Sequence, residues 1–117
     1  MTDNSHSRLP RPPAALHILL ALAGQDLHGY AIMQDVARQS EGKYKLGPGT
    51  LYDNLQKLIR RGWVEELGNR PDDDDPRRRY YRLTSVGRSV LSAETDRLAG
   101  VVREARLRLQ TVKPRRS

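Results

Sequence analysis

The sequence predicts a mainly α-helical protein with a small β-hairpin: a winged helix-turn-helix followed by a long C-terminal helix. Three observations predict this class. Residues 47–62 carry the start and stop signals of a short amphipathic helix, and two other helical segments precede them. Residues 63–67 and 79–83 have the composition of two strands, joined by a charged loop rich in turn-forming residues. Residues 84–112 repeat apolar side chains every seven positions, which is typical of a helix that packs against another helix.

The composition is that of a basic, cysteine-free protein of one domain. The 117 residues include 21 Lys and Arg against 14 Asp and Glu, a formal net charge of +7, which favours contact with nucleic acid. The absence of Cys excludes disulfides, thiolate catalysis and cysteine-type zinc sites. No apolar run is long enough to span a membrane and residues 1–13 lack an apolar signal segment, so we expect a cytoplasmic protein.

These features divide the chain into parts with different roles. Residues 1–12 are polar and without periodicity, which predicts a flexible N-terminal tail. Residues 13–83 are predicted to form the winged helix-turn-helix DNA-binding domain, and residues 84–112 the C-terminal dimerisation helix. Residues 113–117 are predicted to be a basic tail.

The helix predicted over residues 48–61 indicates function most directly. Pro48 suits the first helical position and Gly47 the N-cap, and a glycine follows the last turn. Gly49 and Thr50 are small, so the free backbone N–H groups of the first turn can approach a phosphate closely. The face opposite the apolar stripe carries polar and basic side chains: Thr50, Asn54, Lys57 and Arg61. This helix suits insertion into a DNA major groove, although an ordinary surface helix with a Pro-Gly cap fits the same residues.

Other helices lie on either side of it. A first helix is predicted from residue 13 to about residue 23 and a second from residue 29 to residue 39, with residues 24–28 as a loop between them. Two short helices followed by a third with a polar N-terminus is the helix-turn-helix order. Thr84 is the predicted N-cap of the final helix over residues 85–112.

The wing is the hairpin of the two predicted strands. Tyr80 and Tyr81 point to opposite faces of the second strand, so one is predicted to be in the core and the other exposed, with no choice between them. The basic residues at the start of this strand would flank a duplex that lies beside the third helix.

The C-terminal helix carries an apolar seam that needs a partner. One set of the repeat is Leu91, Leu98, Ala105 and Val112, and the other is Thr95, Val102 and Leu109. Homodimerisation is the economical prediction, because two-fold dimers are the commonest oligomers and match palindromic DNA half-sites. The predicted dimer interface consists of Leu91, Leu98, Val102, Ala105 and Leu109.

Four stretches in register resemble the PadR family of bacterial transcriptional regulators. They are residues 27–32, 47–55, 58–64 and 79–87. The single C-terminal helix is similar to that of the short members. The resemblance implies a homodimer, joined through this helix with help from the N-terminal one, that represses transcription at an operator. It also implies a small-molecule effector, often aromatic, that releases the DNA.

The resemblance further implies roles for individual residues. The expected groove and phosphate contacts are Lys43, Pro48, Gly49, Thr50 and Tyr52, with Lys57 on the DNA backbone and Arg78 and Arg79 at the base of the wing. Gly29 and Tyr30 are expected to be scaffold that packs the second helix and holds the third in place. Trp63 is expected near the centre of the dimer and is the candidate effector contact.

The sequence departs from the family pattern at three places. Gly47 stands where Ser commonly caps the third helix, at a cost of only a few tenths of a kcal/mol. The wing tip, residues 72–75, is four consecutive Asp, which would repel phosphate and are expected to face solvent or to pair with Arg77 and Arg78. The C-terminal helix has no aromatic residue, so a flat ligand stacked between rings of two such helices is not supported, and only Trp63 could stack.

Other classes of function find little support. The three histidines, His6, His17 and His28, lack the spacing of metal ligands, and the Asp run lacks the glycine spacing of a calcium loop, so no metal or cofactor is predicted. No nucleophile–base pair is suggested, which argues against an enzyme. The rival function is a winged-helix module for protein–protein contact. It would need an exposed apolar patch on the third helix, whose outer face is instead polar and basic.

Overall fold

The computed structural model describes residues 13–68 and 75–111. Its elements, in chain order, are α1 (Ala14–Gly24), β1 (Leu27–His28), α2 (Gly29–Gln39), α3 (Pro48–Arg60), β2 (Val64–Gly68), β3 (Tyr80–Leu83) and α4 (Ser85–Thr111). The predictions for the tails at 1–12 and 113–117, for Asp72 to Asp74 and for Val112 lie outside the described residues.

Local signals start and end the helices. Gly47 is the N-cap of α3 and Pro48 its first residue, as predicted, while Gly62 leaves the helix with φ +77°. The α1 helix differs slightly, because Pro13 has an extended backbone and is the N-cap rather than the first helical residue. In α4 the Thr84 hydroxyl accepts a hydrogen bond from the Gly87 N–H at 3.0 Å, which confirms the predicted cap.

The sheet has three antiparallel strands in the order β1-β3-β2, not the two predicted. Treating residues 24–28 wholly as a loop was wrong, because Leu27 pairs with Tyr81 across the free edge of β3. A pair of residues is too short to show an alternating pattern, so the sequence carries no sign of this strand. Both wing strands also begin one residue later than predicted.

A single core joins the helices to the sheet. Its buried side chains come from every helix, from β2 and β3, and from the connector before α3: Ile18, Leu19, Ala21, Leu22, Ile32, Val36, Leu46, Leu51, Leu55, Leu58, Val64, Tyr81, Leu83 and Leu91. Tyr81 is thus the core tyrosine, while Tyr80 is half-buried with its ring edge-on to that of His28. An ion pair between Arg82 and Asp26, 3.0 Å long, ties β3 to the segment before β1.

The α4 helix leaves this core after its first turns. Its 27 residues correspond to about 40 Å of helix, and the molecule is 67 Å long as a result. Leu91 is buried and Leu98 half-buried, whereas the side chains beyond them are exposed. The distal part of α4 therefore has an apolar seam that the described residues of its own chain do not cover.

Candidate nucleic-acid interface

The first turn of α3 is exposed and uncluttered. Pro48, Gly49 and Thr50 are all exposed, and nothing lies within 4 Å of the position where a Cβ on Gly49 would be. The apolar side of the helix is buried through Leu51, Leu55 and Leu58. This arrangement presents the free N–H groups of the first turn to solvent, where a phosphate or a groove edge can reach them.

Tyr52 joins α3 to the start of α2. Its ring and hydroxyl lie against Gly29, so closely that a Cβ on Gly29 would overlap the Tyr52 hydroxyl oxygen. Gly29 is buried and in contact with α3, which agrees with the expectation that it is scaffold. Tyr30, by contrast, is 59% exposed, so its assignment as scaffold was wrong. The buried stripe of α2 consists of Gly29, Ile32 and Val36, and Tyr30 lies to one side of it. The helical spacing of the sequence could therefore have identified Tyr30 as a surface residue.

A polar cleft lies between α2, α3 and the wing. It has a volume of about 380 Å³ and brings together residues far apart in the sequence: His28, Gly29, Tyr30, Tyr52, Asp75, Arg77, Arg78, Arg79 and Tyr81. Three of the predicted contacts, Tyr52, Arg78 and Arg79, therefore lie in one place. Tyr30 and Arg77 are members of this cleft that were not among the contacts predicted from the sequence.

The cations around this cleft are held by exposed carboxylates. Arg79 pairs with Glu66 at 3.1 Å, and Arg77 pairs with Asp75 at 3.4 Å. Exposed ion pairs of this kind contribute little to stability, so a DNA phosphate can displace the carboxylate. The backbone N–H of Arg77 donates to Asp75 and, with the arginine side chains nearby, holds the pKa of Asp75 below its usual value. Asp75 thus meets the expectation of local pairing with Arg77.

On α3 itself, Lys57 pairs with Asp53 at 3.3 Å and remains exposed. It lies about two and a half turns from the helix start, on the polar side. Its position suits a contact with the DNA backbone flanking the groove that the first turn would enter.

Lys43 lies in the connector between α2 and α3 and is exposed. Glu41 and Gly42 both have positive φ there, at 55° and 81°, which turns the chain after α2. The Ser40 hydroxyl accepts from the Tyr44 N–H at 2.8 Å, and the Tyr44 ring packs against His17 with centroids 5.0 Å apart. These contacts fix the connector and place Lys43 just ahead of the first turn of α3.

The predicted dimer residues fall into two groups. Leu91 is 7% exposed because it packs in the core of its own chain, so only part of its surface is left for a partner. Val102 and Leu109 are 48% and 80% exposed, and Ala105 is exposed as well. The hydroxyl of Thr95, the polar residue of the seam, donates to the Leu91 carbonyl at 2.8 Å, so it brings no unpaired polar group into a helix–helix contact.

Trp63 lies beside a second, mostly apolar cavity between α1 and α4. The cavity has a volume of about 490 Å³ and is lined by Pro13, Ala15, Leu16, Leu19, Trp63, Val90, Leu91, Ala93, Glu94 and Arg97. The guanidinium of Arg61 lies 5.1 Å from the centre of the Trp63 ring, in cation–π contact. The apolar lining of this cavity can bind an apolar molecule or the apolar face of another chain.

The described histidines have structural roles. The His17 ring nitrogen bonds to the Gln39 side chain at 2.9 Å, and the His28 ring accepts from the Ala31 N–H as the N-cap of α2. Across residues 13–68 and 75–111, no group of His, Asp and Glu is arranged to hold a metal ion. Over the same ranges, none of the helices combines the length and apolar character that crossing a bilayer would require.

Comparison with known proteins identifies the family. Residues 18–93 match the model of the transcriptional regulator PadR-like family. The transcriptional regulator Rv3488 of Mycobacterium tuberculosis is 33% identical over 94 residues, which cover 80% of this chain and 83% of the relative.

Solved structures share the fold. A PadR family transcription regulator from Clostridium difficile has a TM-score of 0.69 at 21% identity, over 81% of this chain and 96% of that chain. Bacillus subtilis PadR in complex with operator DNA has a TM-score of 0.60 at 21% identity, over 69% of this chain and 45% of that chain. The predicted fold class and the family resemblance are both confirmed. The chain belongs to the PadR-like family, whose members are transcriptional regulators and not enzymes.

Proposed function

We propose that this protein is a cytoplasmic, sequence-specific DNA-binding repressor that acts as a homodimer on a palindromic operator. The observation that carries the proposal is the exposed first turn of α3 beside a cleft that holds Arg77, Arg78 and Arg79. A polar helix end with free N–H groups, flanked by guanidinium groups, matches the groove edges and phosphates of a duplex. The similar fold of Bacillus subtilis PadR, whose structure is a complex with operator DNA, supports DNA as the partner.

The proposed contacts divide by chemistry. Pro48, Gly49 and Thr50 allow the α3 backbone to approach the groove, and the Thr50 and Tyr52 hydroxyls donate or accept at base edges and phosphates. The proposed contacts to phosphates are cationic: Lys43 ahead of α3, Lys57 along it, and Arg78 and Arg79 from the wing. Phosphate contacts set affinity and register, whereas the first turn of α3 supplies sequence selectivity.

The exposed seam of α4 supports the dimer. Val102, Ala105 and Leu109 are apolar, exposed and spaced for packing along one face of the helix. In a two-fold dimer the two α3 helices would enter major grooves about 34 Å apart, one turn of the duplex. Bound in this way, the dimer would block transcription sterically.

The cavity beside Trp63 is the proposed site of a small-molecule effector. It lies between α1 and α4, the two helices that would set the spacing of the winged domains in a dimer. A ligand that binds better to one spacing than to another shifts the dimer toward that spacing, and so releases DNA. The lining favours a largely apolar molecule that stacks on Trp63.

The first test is a titration of the purified protein onto its own upstream DNA, with unrelated DNA of equal length as control, at several salt concentrations. We expect tight, selective binding with a steep negative dependence on salt, whose slope counts the phosphate contacts. Equal and weak binding to both duplexes would contradict the repressor function. It would direct attention to the alternative, a winged-helix module for protein–protein contact.

A further inference from the structure

Asp75 places a carboxylate in the cleft where the proposed interface concentrates its arginines. It lines the cleft together with Tyr52 and Arg77 to Arg79, at the base of the wing. Its side chain is 39% exposed, while that of Arg77 is 90% exposed. The acid is therefore close to the surface that a duplex would cover and is not part of the core.

Local hydrogen bonds hold Asp75 in this position. Its Oδ1 accepts from the backbone N–H of Arg77 at 3.0 Å and from the Arg77 Nε at 3.4 Å. An Asp that bonds to the backbone two residues further on forms an Asx-turn, a rigid local structure. The backbone hydrogen bond orients the carboxylate toward the Arg77 guanidinium, so no long-range contact is needed to bring the two groups together.

A DNA phosphate and the Asp75 carboxylate are alternative partners of the same guanidinium. Both are oxyanions that accept charge-assisted hydrogen bonds from arginine. When a phosphate approaches Arg77, it must either replace the carboxylate or remain near it and be repelled. In either case the carboxylate reduces the contribution that this arginine makes to binding.

We propose that Asp75 is an intramolecular competitor for DNA phosphate, which keeps Arg77 from contributing fully to DNA binding and so limits the affinity of the wing for any duplex. The proposal rests on the proposed function, because it requires that the cleft faces DNA. In this role the Asp75 carboxylate regulates how much Arg77 contributes to DNA binding. Selectivity then depends more on the first turn of α3, since Arg77 adds little sequence-independent affinity.

The test measures the affinity of wild type and Asp75→Asn for unrelated duplex DNA across about 50 to 200 mM salt. We expect the substitution to raise the affinity about two- to fivefold at the low-salt end and to steepen the salt slope by about 0.9, one further phosphate contact. Asp96→Asn, on the exposed part of α4, adds the same charge outside the cleft and serves as the matched control.

Competition for Arg77 is separated from a general charge effect by repeating the substitution in an Arg77→Ala background. We expect the gain from Asp75→Asn to be smaller there than in the wild-type background, because Arg77 is no longer present to be released. An equal gain in that background, an equal gain from Asp96→Asn, or no gain in either arm would each overturn the proposal. If wild type binds no duplex at all, the proposed function itself fails and the inference fails with it, a result distinct from wild-type binding that Asp75→Asn leaves unchanged.

Discussion

The phenol of Tyr52 lies over Gly29, so the start of α2 and the helix α3 pack together at a residue without a side chain. In Gly29→Ala the added methyl group would overlap the end of the Tyr52 ring and force it aside. Because the ring is 45% exposed and can move, we expect the protein to fold, with operator affinity lowered about tenfold through the displaced hydroxyl and helix. Gly24→Ala is the control, since nothing lies within 4 Å of its Cβ position. Equal affinities of the two variants would show that the fit does not position α3.

The hydroxyl of Tyr52 can be tested apart from its ring. Tyr52→Phe keeps the ring beside Gly29 and removes the hydroxyl, so we expect operator affinity to fall about two- to tenfold with the melting temperature little changed. Tyr52→Ala together with Lys43→Ala should abolish operator binding while leaving the dimer intact. Fluorescence anisotropy and solution mass measure the two quantities. Loss of the dimer would show that these residues belong to the scaffold.

The two faces of distal α4 should respond differently to a charge. Leu98→Glu places a carboxylate on the predicted seam, so we expect the solution mass to fall to that of a monomer and operator binding to weaken with it. Leu107→Glu is the matched control, because Leu107 is 52% exposed and lies about half a turn around the helix from Leu98. An unchanged mass for Leu98→Glu, measured by light scattering, would refute the assigned seam.

Replacing each of two glycines of α4 by Ala should change the stability of the protein in opposite directions. A Cβ on Gly87 would overlap the backbone carbonyl of Trp63, which already accepts a hydrogen bond from the Thr84 N–H at 3.0 Å. Because a backbone group cannot give way as a side chain does, Gly87→Ala should cost about 1–3 kcal/mol. Gly100→Ala meets nothing within 4 Å and should stabilise the helix by about 0.5–1 kcal/mol. Thermal denaturation measures both, and a destabilised Gly100→Ala would show that this face of α4 is in contact with a partner.

Asp35 makes part of the stability depend on pH. Burial alone would raise its pKa, but hydrogen bonds from Gln39 and Arg38 outweigh that effect and lower the pKa below its usual value. A lowered folded-state pKa means that the stabilisation is fully present above the unfolded value of about 3.9 and is lost as the pH falls through the folded value. We therefore expect Asp35→Asn to melt at a lower temperature than wild type at pH 7, with the difference shrinking as the pH falls below the unfolded value of about 3.9. Melting curves with Asp96→Asn as control test this, and a difference independent of pH would contradict it.

Much of the fold was accessible from the sequence because its signals are local. Gly47 and Pro48 start α3 by their own backbone preferences, and Thr84 caps α4 through a hydroxyl three residues from its donor. The apolar stripe of α3 likewise follows from helical period alone. The orientation of α3, with its buried side inward and its polar first turn exposed, was predictable for the same reason.

Pairings between distant segments were decided only by the tertiary structure. The strand β1 forms because its backbone pairs with the free edge of β3. Leu91 is buried in the core of its own chain because α1 packs against it. The cleft brings together residues 28–30, 52, 75, 77–79 and 81, although no local pattern relates them. Periodicity and capping chemistry specify which residues form a helix and which side of it is apolar. Only the packing of whole elements decides which polar side chains share a surface, since that depends on contacts across the chain.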